Sequence, residues 1–247
     1  MDKVVVITGG NRGIGRALTE CFLRDGYSVV VGSRNPNGVE DLAPGRVRFV
    51  PIDVRTEADH VRLTEVAAEM GTLVAYVNNA GYSAWSPIGE ITDAFFDDMM
   101  ATNLKGAFWG CKAAAAALGQ GGSLINISSM AAKRGSANNS VYCATKFGMN
   151  GLTQSLAKEL GPQGIRVNAI CPVLVRTDGL IEALSREDSP AKGDPETFLE
   201  NFRKANAALD HLPTGEEVGN YAVWLASDRA SAMTGQCVNV DCGVFPQ

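Results

Sequence analysis

Short β-branched runs alternate with longer helix-patterned segments along this chain, and no other property narrows its fold as far. The runs at 4–8, 28–31, 48–52, 73–77, 123–128, 166–170 and 236–240 read as strands. Between them, 14–25, 57–70, 95–118, 142–160 and 216–226 carry apolar residues at helical spacing. Such alternation predicts a mostly parallel sheet with helices on both faces. Several runs, Val4-Val5-Val6-Ile7 above all, are apolar throughout, as burial on both faces requires. The expectation is an α/β protein with a doubly wound, seven-stranded parallel sheet, built as one domain over 1–247. One stretch, 179–212, breaks the rhythm. It is polar and charge-rich, carries Pro190 and Pro195 with Pro213 just beyond, and reads as a mobile, variable insertion rather than a second domain.

At the first strand-to-helix junction stands Thr8-Gly9-Gly10-Asn11-Arg12-Gly13-Ile14-Gly15. Glycines there permit positive φ, let the backbone approach a pyrophosphate and allow tight helix packing, while the helix N-terminus offers free N–H groups to the anion. The spacing is G-x-x-x-G-x-G, wider than the common dinucleotide fingerprint, and its place between a strand and an amphipathic helix is the confirming context. Nucleotide choice is read at the end of the second strand, where a carboxylate would hold a ribose 2′-hydroxyl and a cation would accommodate a 2′-phosphate. Here the strand ends in Ser33-Arg34, and Arg12 adds a second guanidinium, a group suited to bidentate phosphate binding. NADP(H) is therefore the expected cofactor.

A net charge of −5 and a pI near 5.1 argue against a nucleic-acid surface or a basic membrane patch. No apolar run approaches the roughly 18 residues a membrane-spanning helix needs, and the start of the chain lacks the pattern of a signal peptide. A cytoplasmic protein is expected. The six cysteines, Cys21, Cys111, Cys143, Cys171, Cys237 and Cys242, form no C-x-x-C pair and read as reduced thiols packed in the core. With only His60 and His211, both in polar surroundings and read as solvated, no metal site is expected.

Tyr142 and Lys146 stand four residues apart in the helix-patterned segment 142–160, which sets phenol and ammonium on one face. A phenol with an ordinary pKa of about 10 is a poor acid or base near neutrality until something such as an adjacent cation lowers it. Upstream, the serine pair Ser128-Ser129 closes an apolar segment; Asn78-Asn79-Ala80-Gly81 follows the fourth strand, and Asn103 lies in the long helix. Pro172 and Thr177 follow the sixth strand. Together with the glycine loop, these segments resemble the short-chain dehydrogenase/reductase family over essentially the whole chain.

That resemblance implies a Rossmann-type fold and a role for each position. Ser129 would hydrogen-bond the substrate oxygen, with Ser128 the alternative if the register were shifted by one. Tyr142 would donate or remove the proton, Lys146 would hold the nicotinamide ribose and lower the tyrosine's pKa, and Asn103 would anchor a water chain to bulk solvent. Gly9, Asn11, Arg12, Gly13, Ile14, Gly15, Ser33 and Arg34 would hold the phosphates. Asp53, with Val54 beside it, would bond the adenine; Asn79, Ala80 and Gly81 would line the cofactor, and Pro172, Val173, Val175 and Thr177 its nicotinamide end. Substrate contacts fall on Tyr82, Trp85, Ala131, Lys133, Asn139, Val173 and the segment 179–212, although Trp85 reads equally well as loop packing and Lys133 as an exposed lysine. One position departs from the family pattern: Val173 stands where a glycine is usual, so strain at positive φ and a narrowed pocket are expected there. The implied activity is NADPH-dependent reduction of a ketone or aldehyde to an alcohol, reversible as alcohol dehydrogenation, by a homotetramer. The alternatives are an enoyl reductase, which relatives with more widely spaced Tyr and Lys exemplify, and a non-catalytic NADP(H)-binding regulator.

Overall fold

Val4-Val5-Val6-Ile7 offers no polar face to water, so the strand it forms has to be covered on both sides. In the computed structural model, which describes residues 2–246, this strand, β1 (Lys3–Thr8), is the third of seven in one parallel sheet. The others are β2 (Ser28–Ser33), β3 (Val47–Pro51), β4 (Thr72–Asn78), β5 (Ser123–Ile127), β6 (Arg166–Pro172) and β7 (Cys237–Val240). Their order is β3-β2-β1-β4-β5-β6-β7, every neighbouring pair parallel. The helices are α1 (Gly13–Arg24), α2 (Glu57–Met70), α3 (Asp93–Met99), α4 (Gly106–Ala117), α5 (Ser140–Leu160), α6 (Asp178–Leu184), α7 (Pro195–Asn206) and α8 (Gly215–Ala226).

Successive side chains of a strand go to opposite faces. Val5 and Ile7, with Val29, Val31 and Val77, therefore pack against Leu18 and Phe22 of α1 and Val218, Ala222 and Leu225 of α8. Val4, Val6, Tyr76 and Leu124 meet Leu63 and Ala67 of α2, Cys111 and Ala114 of α4, and Ala157 and Leu160 of α5. The chain runs outward from β1 to β3, then returns to place β4 beside β1. At such a reversal the crossovers leave in opposite directions, and a crevice opens at the carboxyl ends of the two central strands.

Four expectations change in the structure. The single long helix expected over 95–118 is instead α3, a wider π-helical stretch at Met100–Lys105 that contains Asn103, and then α4. Its apolar periodicity is continuous enough to hide the break, and π turns of this kind tend to mark functional positions. The segment 179–212 is not an unstructured insertion. Thr177 caps α6 by accepting from Leu180 N at 3.2 Å, and Asp194 caps α7 by accepting from Thr197 N at 3.1 Å, with Pro195 opening that helix. Leu184, Ala191 and Leu199 from this segment bury themselves around Trp85. Finally, His60 is fully buried rather than solvated, hydrogen-bonded between α2, β4 and the turn after β3, whereas His211 does lie at the surface beside Glu217. Four of the six cysteines are buried; Cys237 and Cys242 are only partly so.

Candidate active site

The glycine loop is held from below. Thr19 of α1 donates to Gly10 O at 2.9 Å, and Asn79, at the end of β4, donates from Nδ2 to Thr8 O at 3.0 Å and Gly9 O at 3.2 Å. Thr8 Oγ1 in turn accepts from the backbone N–H groups of Asn79 and Ala80. Gly13 has a φ of +54°, and a Cβ on Gly15 would lie 1.9 Å from Gly9 O, so neither position tolerates a side chain. Arg12 occupies the N-cap of α1 in extended conformation without a side-chain cap, and the first turn holds no acidic residue. The amide N–H groups there are thus left for an external anion, which fits a cofactor pyrophosphate. Asn11 Nδ2 donates to Asn35 O at 2.8 Å and ties the loop to the chain leaving β2, where Ser33 is half-buried and the guanidiniums of Arg12 and Arg34 are both exposed.

Asp53 follows β3, and both its carboxylate oxygens accept from Arg55 Nε, at 2.9 and 3.0 Å. Those bonds hold its carboxyl below the usual carboxylate range. Arg55 also reaches Asp98, whose other oxygen accepts from Tyr82 Oη at 2.7 Å. Tyr82 is clamped through its backbone as well: its N–H donates to Asn103 Oδ1 at 3.0 Å, and its carbonyl accepts from Asn103 Nδ2 at 2.8 Å. Asn103 is fully buried, and a Cβ on Gly81 would lie 3.0 Å from its Oδ1 and 3.9 Å from Lys146 Nζ. The amide of Asn103 and the amine of Lys146 therefore flank the backbone of Gly81.

Ser129 emerges from β5 and accepts from Ala131 N at 3.0 Å, which starts the short turn Met130–Ala132. Its hydroxyl lies toward the phenol of Tyr142 and favours the phenolate. Ser128 points elsewhere, donating to Lys146 O at 3.4 Å from a buried position, so of the two hydroxyls it is that of Ser129 that acts on the phenol. Lys146 is buried, its ammonium donating to Ile127 O at 2.8 Å and lying 5.7 Å from the centre of the Tyr142 ring. Burial decides both titrations. It pushes the Tyr142 phenol up to about 12, against the opposing influence of the Ser129 hydroxyl, and brings the Lys146 amine down to about 8. The expectation that Lys146 lowers the tyrosine's pKa is corrected here: desolvation leads the upward shift, Lys146 is not among the groups that oppose it, and its hydrogen bond is directed at a backbone carbonyl.

Around this centre the remaining positions sort themselves. Trp85 is buried among Leu184, Ala191 and Leu199, in the loop-packing role. Ala131 and Lys133 are half-buried in and just after the turn that follows Ser129. Asn139 is buried and donates to Ser136 Oγ at 3.3 Å, its Oδ1 without a hydrogen-bond partner. Pro172 ends β6, and Val175 is buried beneath the loop that follows. Val173 does not take positive φ; it packs with Met130 and Val244, with Phe202 and Phe245 alongside. The strain expected at that valine is absent, and the residue closes an apolar wall next to Ser129. Thr177 reaches across the crevice, its methyl 3.4 Å from where a Cβ on Gly13 would be. The C-terminal pair Val244-Phe245 gave no signal in the sequence, because two apolar residues after a turn resemble any chain end. The Arg55–Asp98–Tyr82 connection likewise joins three segments that nothing local relates.

A family model described as enoyl-(acyl carrier protein) reductase matches residues 9–245. L-2,3-butanediol dehydrogenase of Corynebacterium glutamicum is 34% identical over 259 residues, covering 99% of each chain. The chain belongs to the short-chain dehydrogenase/reductase family. Members of the short-chain dehydrogenase/reductase family are oxidoreductases that use a nicotinamide cofactor, NAD or NADP. Diacetyl reductase, (S)-acetoin forming, of Staphylococcus aureus is another relative, 33% identical over 253 residues and 98% of each chain. Among solved structures, a short-chain dehydrogenase/reductase of the glucose/ribitol dehydrogenase type from Brucella melitensis superposes with a TM-score of 0.89 at 29% identity, covering 100% of this chain and 97% of that one.

Proposed function

We propose that the protein is an NADPH-dependent carbonyl reductase, reversible as an alcohol dehydrogenase, acting on a small ketone. The observation that carries this reading is buried Lys146, its amine 5.7 Å from the centre of the Tyr142 ring and close to the Gly81 backbone, with the Ser129 hydroxyl acting on the same phenol, set next to a glycine cradle built for a pyrophosphate. When bound along the crevice, a nicotinamide cofactor would supply or accept the hydride. Ser129 and Tyr142 aim two hydroxyls at the substrate oxygen, where negative charge builds as a carbonyl is reduced. With its phenol up at about 12, Tyr142 is protonated at neutral pH and stands ready as the acid of the reduction direction. Lys146 holds the ribose, Asn103 anchors the route by which protons return, and Arg12 and Arg34 select the 2′-phosphate.

The names of the relatives, a butanediol dehydrogenase and a diacetyl reductase, make diacetyl and acetoin the first substrates to try. The whole chain acts as one domain in the cytoplasm. It assembles as a homotetramer, with Phe108 of α4 and Phe147 of α5, 46% and 49% exposed, covered by neighbouring subunits. Spectrophotometric NADPH oxidation with a ketone panel tests the reading, with an enoyl thioester as the competing substrate. Tyr142→Phe should lower ketone turnover by about a hundredfold or more. Unchanged turnover in that variant, or turnover of the enoyl thioester alone, would defeat the assignment, and a wild-type protein that binds NADPH but reduces nothing would be a regulator.

A further inference from the structure

Beneath the adenine end of the proposed cofactor site runs a buried chain of hydrogen bonds that takes no part in the reaction chemistry. Tyr76 of β4 and His60 of α2 are both fully buried. His60 Nδ1 lies 2.8 Å from Tyr76 Oη, and Nε2 lies 2.8 Å from Val54 O. A carbonyl can only accept, so Nε2 carries the proton and Nδ1 accepts from the phenol. The neutral ring is the form that satisfies both bonds, and desolvation favours it by lowering the pKa of His60.

Val54 belongs to the turn that joins β3 to α2. That turn is also fastened at Asp53, whose N–H donates to Asp59 Oδ2 at 2.8 Å, and at Thr56, whose N–H donates to Asp53 O at 2.9 Å. Both fastenings are local, within the turn and the first turn of α2. The Tyr76–His60–Val54 chain differs, because it ties the turn to the middle of the sheet. From the other side α4 lies directly on it: a Cβ on Gly106 would come 3.0 Å from Val54 O, and one on Gly110 would come 3.2 Å from His60 Nδ1. Strand β4 thus sets two parts of the crevice at once, the glycine loop through Asn79 and the turn at 53–54 through Tyr76 and His60.

We propose that His60 is a positioning residue of the cofactor site, holding the Asp53-Val54 turn at the level of the sheet where the adenine lies, with Tyr76 fixing its tautomer and ring orientation. The proposal rests on the reading that Asp53 and Val54 meet the adenine. A pair kept only to fill the core has no need of three hydrogen-bonding groups, since apolar side chains of the same volume are as stable there.

The test is calorimetric titration with 2′,5′-ADP and with 5′-ADP, alongside steady-state kinetics with NADPH. In His60→Leu, the Kd for 2′,5′-ADP and the KM for NADPH should rise about tenfold, roughly one hydrogen bond's worth of orientation, while kcat stays within about twofold. His60→Gln, whose amide N–H can donate to Val54 O in the manner of Nε2, should recover most of that affinity. Tyr76→Phe removes one hydroxyl, keeps the fold within reach if His60→Leu does not express, and should weaken 2′,5′-ADP about threefold through a freed imidazole. Wild-type affinity in both His60→Leu and Tyr76→Phe would overturn the inference, as would a fall in kcat as large as the loss of affinity. If the wild-type protein binds neither nucleotide, the adenine reading fails and the inference with it; if it binds and Asp53→Ala weakens it while His60→Leu does not, the inference alone falls.

Discussion

Replacing Lys146 by methionine should abolish turnover and make the free protein more stable. Lys146 is 4% exposed, its ammonium has Ile127 O as hydrogen-bond acceptor, and burial brings its pKa from 10.5 down to about 8. At about 1.4 kcal/mol per pKa unit, keeping that charge in the folded state costs about 3 kcal/mol at pH 7. Methionine fills similar space without charge and forgoes the amine's hydrogen bond, about 1 kcal/mol, which leaves the variant ahead by about 2 kcal/mol. The sign with pH follows from linkage. Below pH 8 the lysine is charged in both states and the full penalty applies. Between 8 and 10.5 the unfolded chain holds the proton that the folded one has released, so wild-type stability climbs with pH. By pH 10 the remaining penalty is less than about 1 kcal/mol, no more than the hydrogen bond the variant forgoes, so its lead of about 2 kcal/mol at pH 7 should have vanished. Tyr142 is present in both and cancels in the difference. Urea denaturation of both proteins without cofactor, at one protein concentration from pH 7 to pH 10, measures the gap. Parallel stabilities across that range would refute the reasoning, because they would mean that Lys146 has an ordinary pKa.

Arg34→Asp should raise the Kd for NADPH about tenfold or more while improving NADH binding, since a carboxylate at the end of β2 holds a 2′-hydroxyl and repels a phosphate; fluorescence titration with both nucleotides checks this. Alcohol oxidation needs Tyr142 as phenolate, and with that phenol up at about 12 the rate of oxidation should rise about tenfold per pH unit between pH 7 and pH 9, while ketone reduction falls or stays level; initial rates in both directions decide it. Val173→Gly should empty part of the wall made with Met130 and Val244, destabilise the protein by about 2 kcal/mol in thermal or urea unfolding, and improve kcat/KM for bulkier ketones.

What could be read from the sequence was local. The strand at 4–8 is apolar up to its closing Thr8, and the helix at 57–70 matches Glu57–Met70 because its apolar periodicity runs that far and Gly71 ends it. The π turn at Met100–Lys105 could not be seen, since one widened turn leaves composition untouched. Leu184 and Leu199 are too sparse to reveal α6 and α7, although Asp194-Pro195 is a readable helix start. At the site, the spacing of Tyr142 and Lys146 shows that they share a helix face but says nothing of burial, and burial reverses the expected shift of the phenol. His60 looked solvated because its neighbours in sequence are polar; its partner, Tyr76, is 16 residues away on a strand. The choice between Ser128 and Ser129 likewise depends on which hydroxyl the packing turns toward Tyr142.

The π stretch between α3 and α4 has a consequence for anyone counting along this chain. Each widened turn takes up about one extra residue, and one residue is about 100° of rotation around a helix. Faces assigned by ordinary helical arithmetic before Met100 are therefore out of phase with those after Lys105, and a substitution aimed at the outer face of α4 from the pattern of α3 would land on its flank. Removing one residue from this stretch would restore a regular helix and swing Asn103 off the backbone of Tyr82, so the irregular form is the one that keeps that side chain in the crevice.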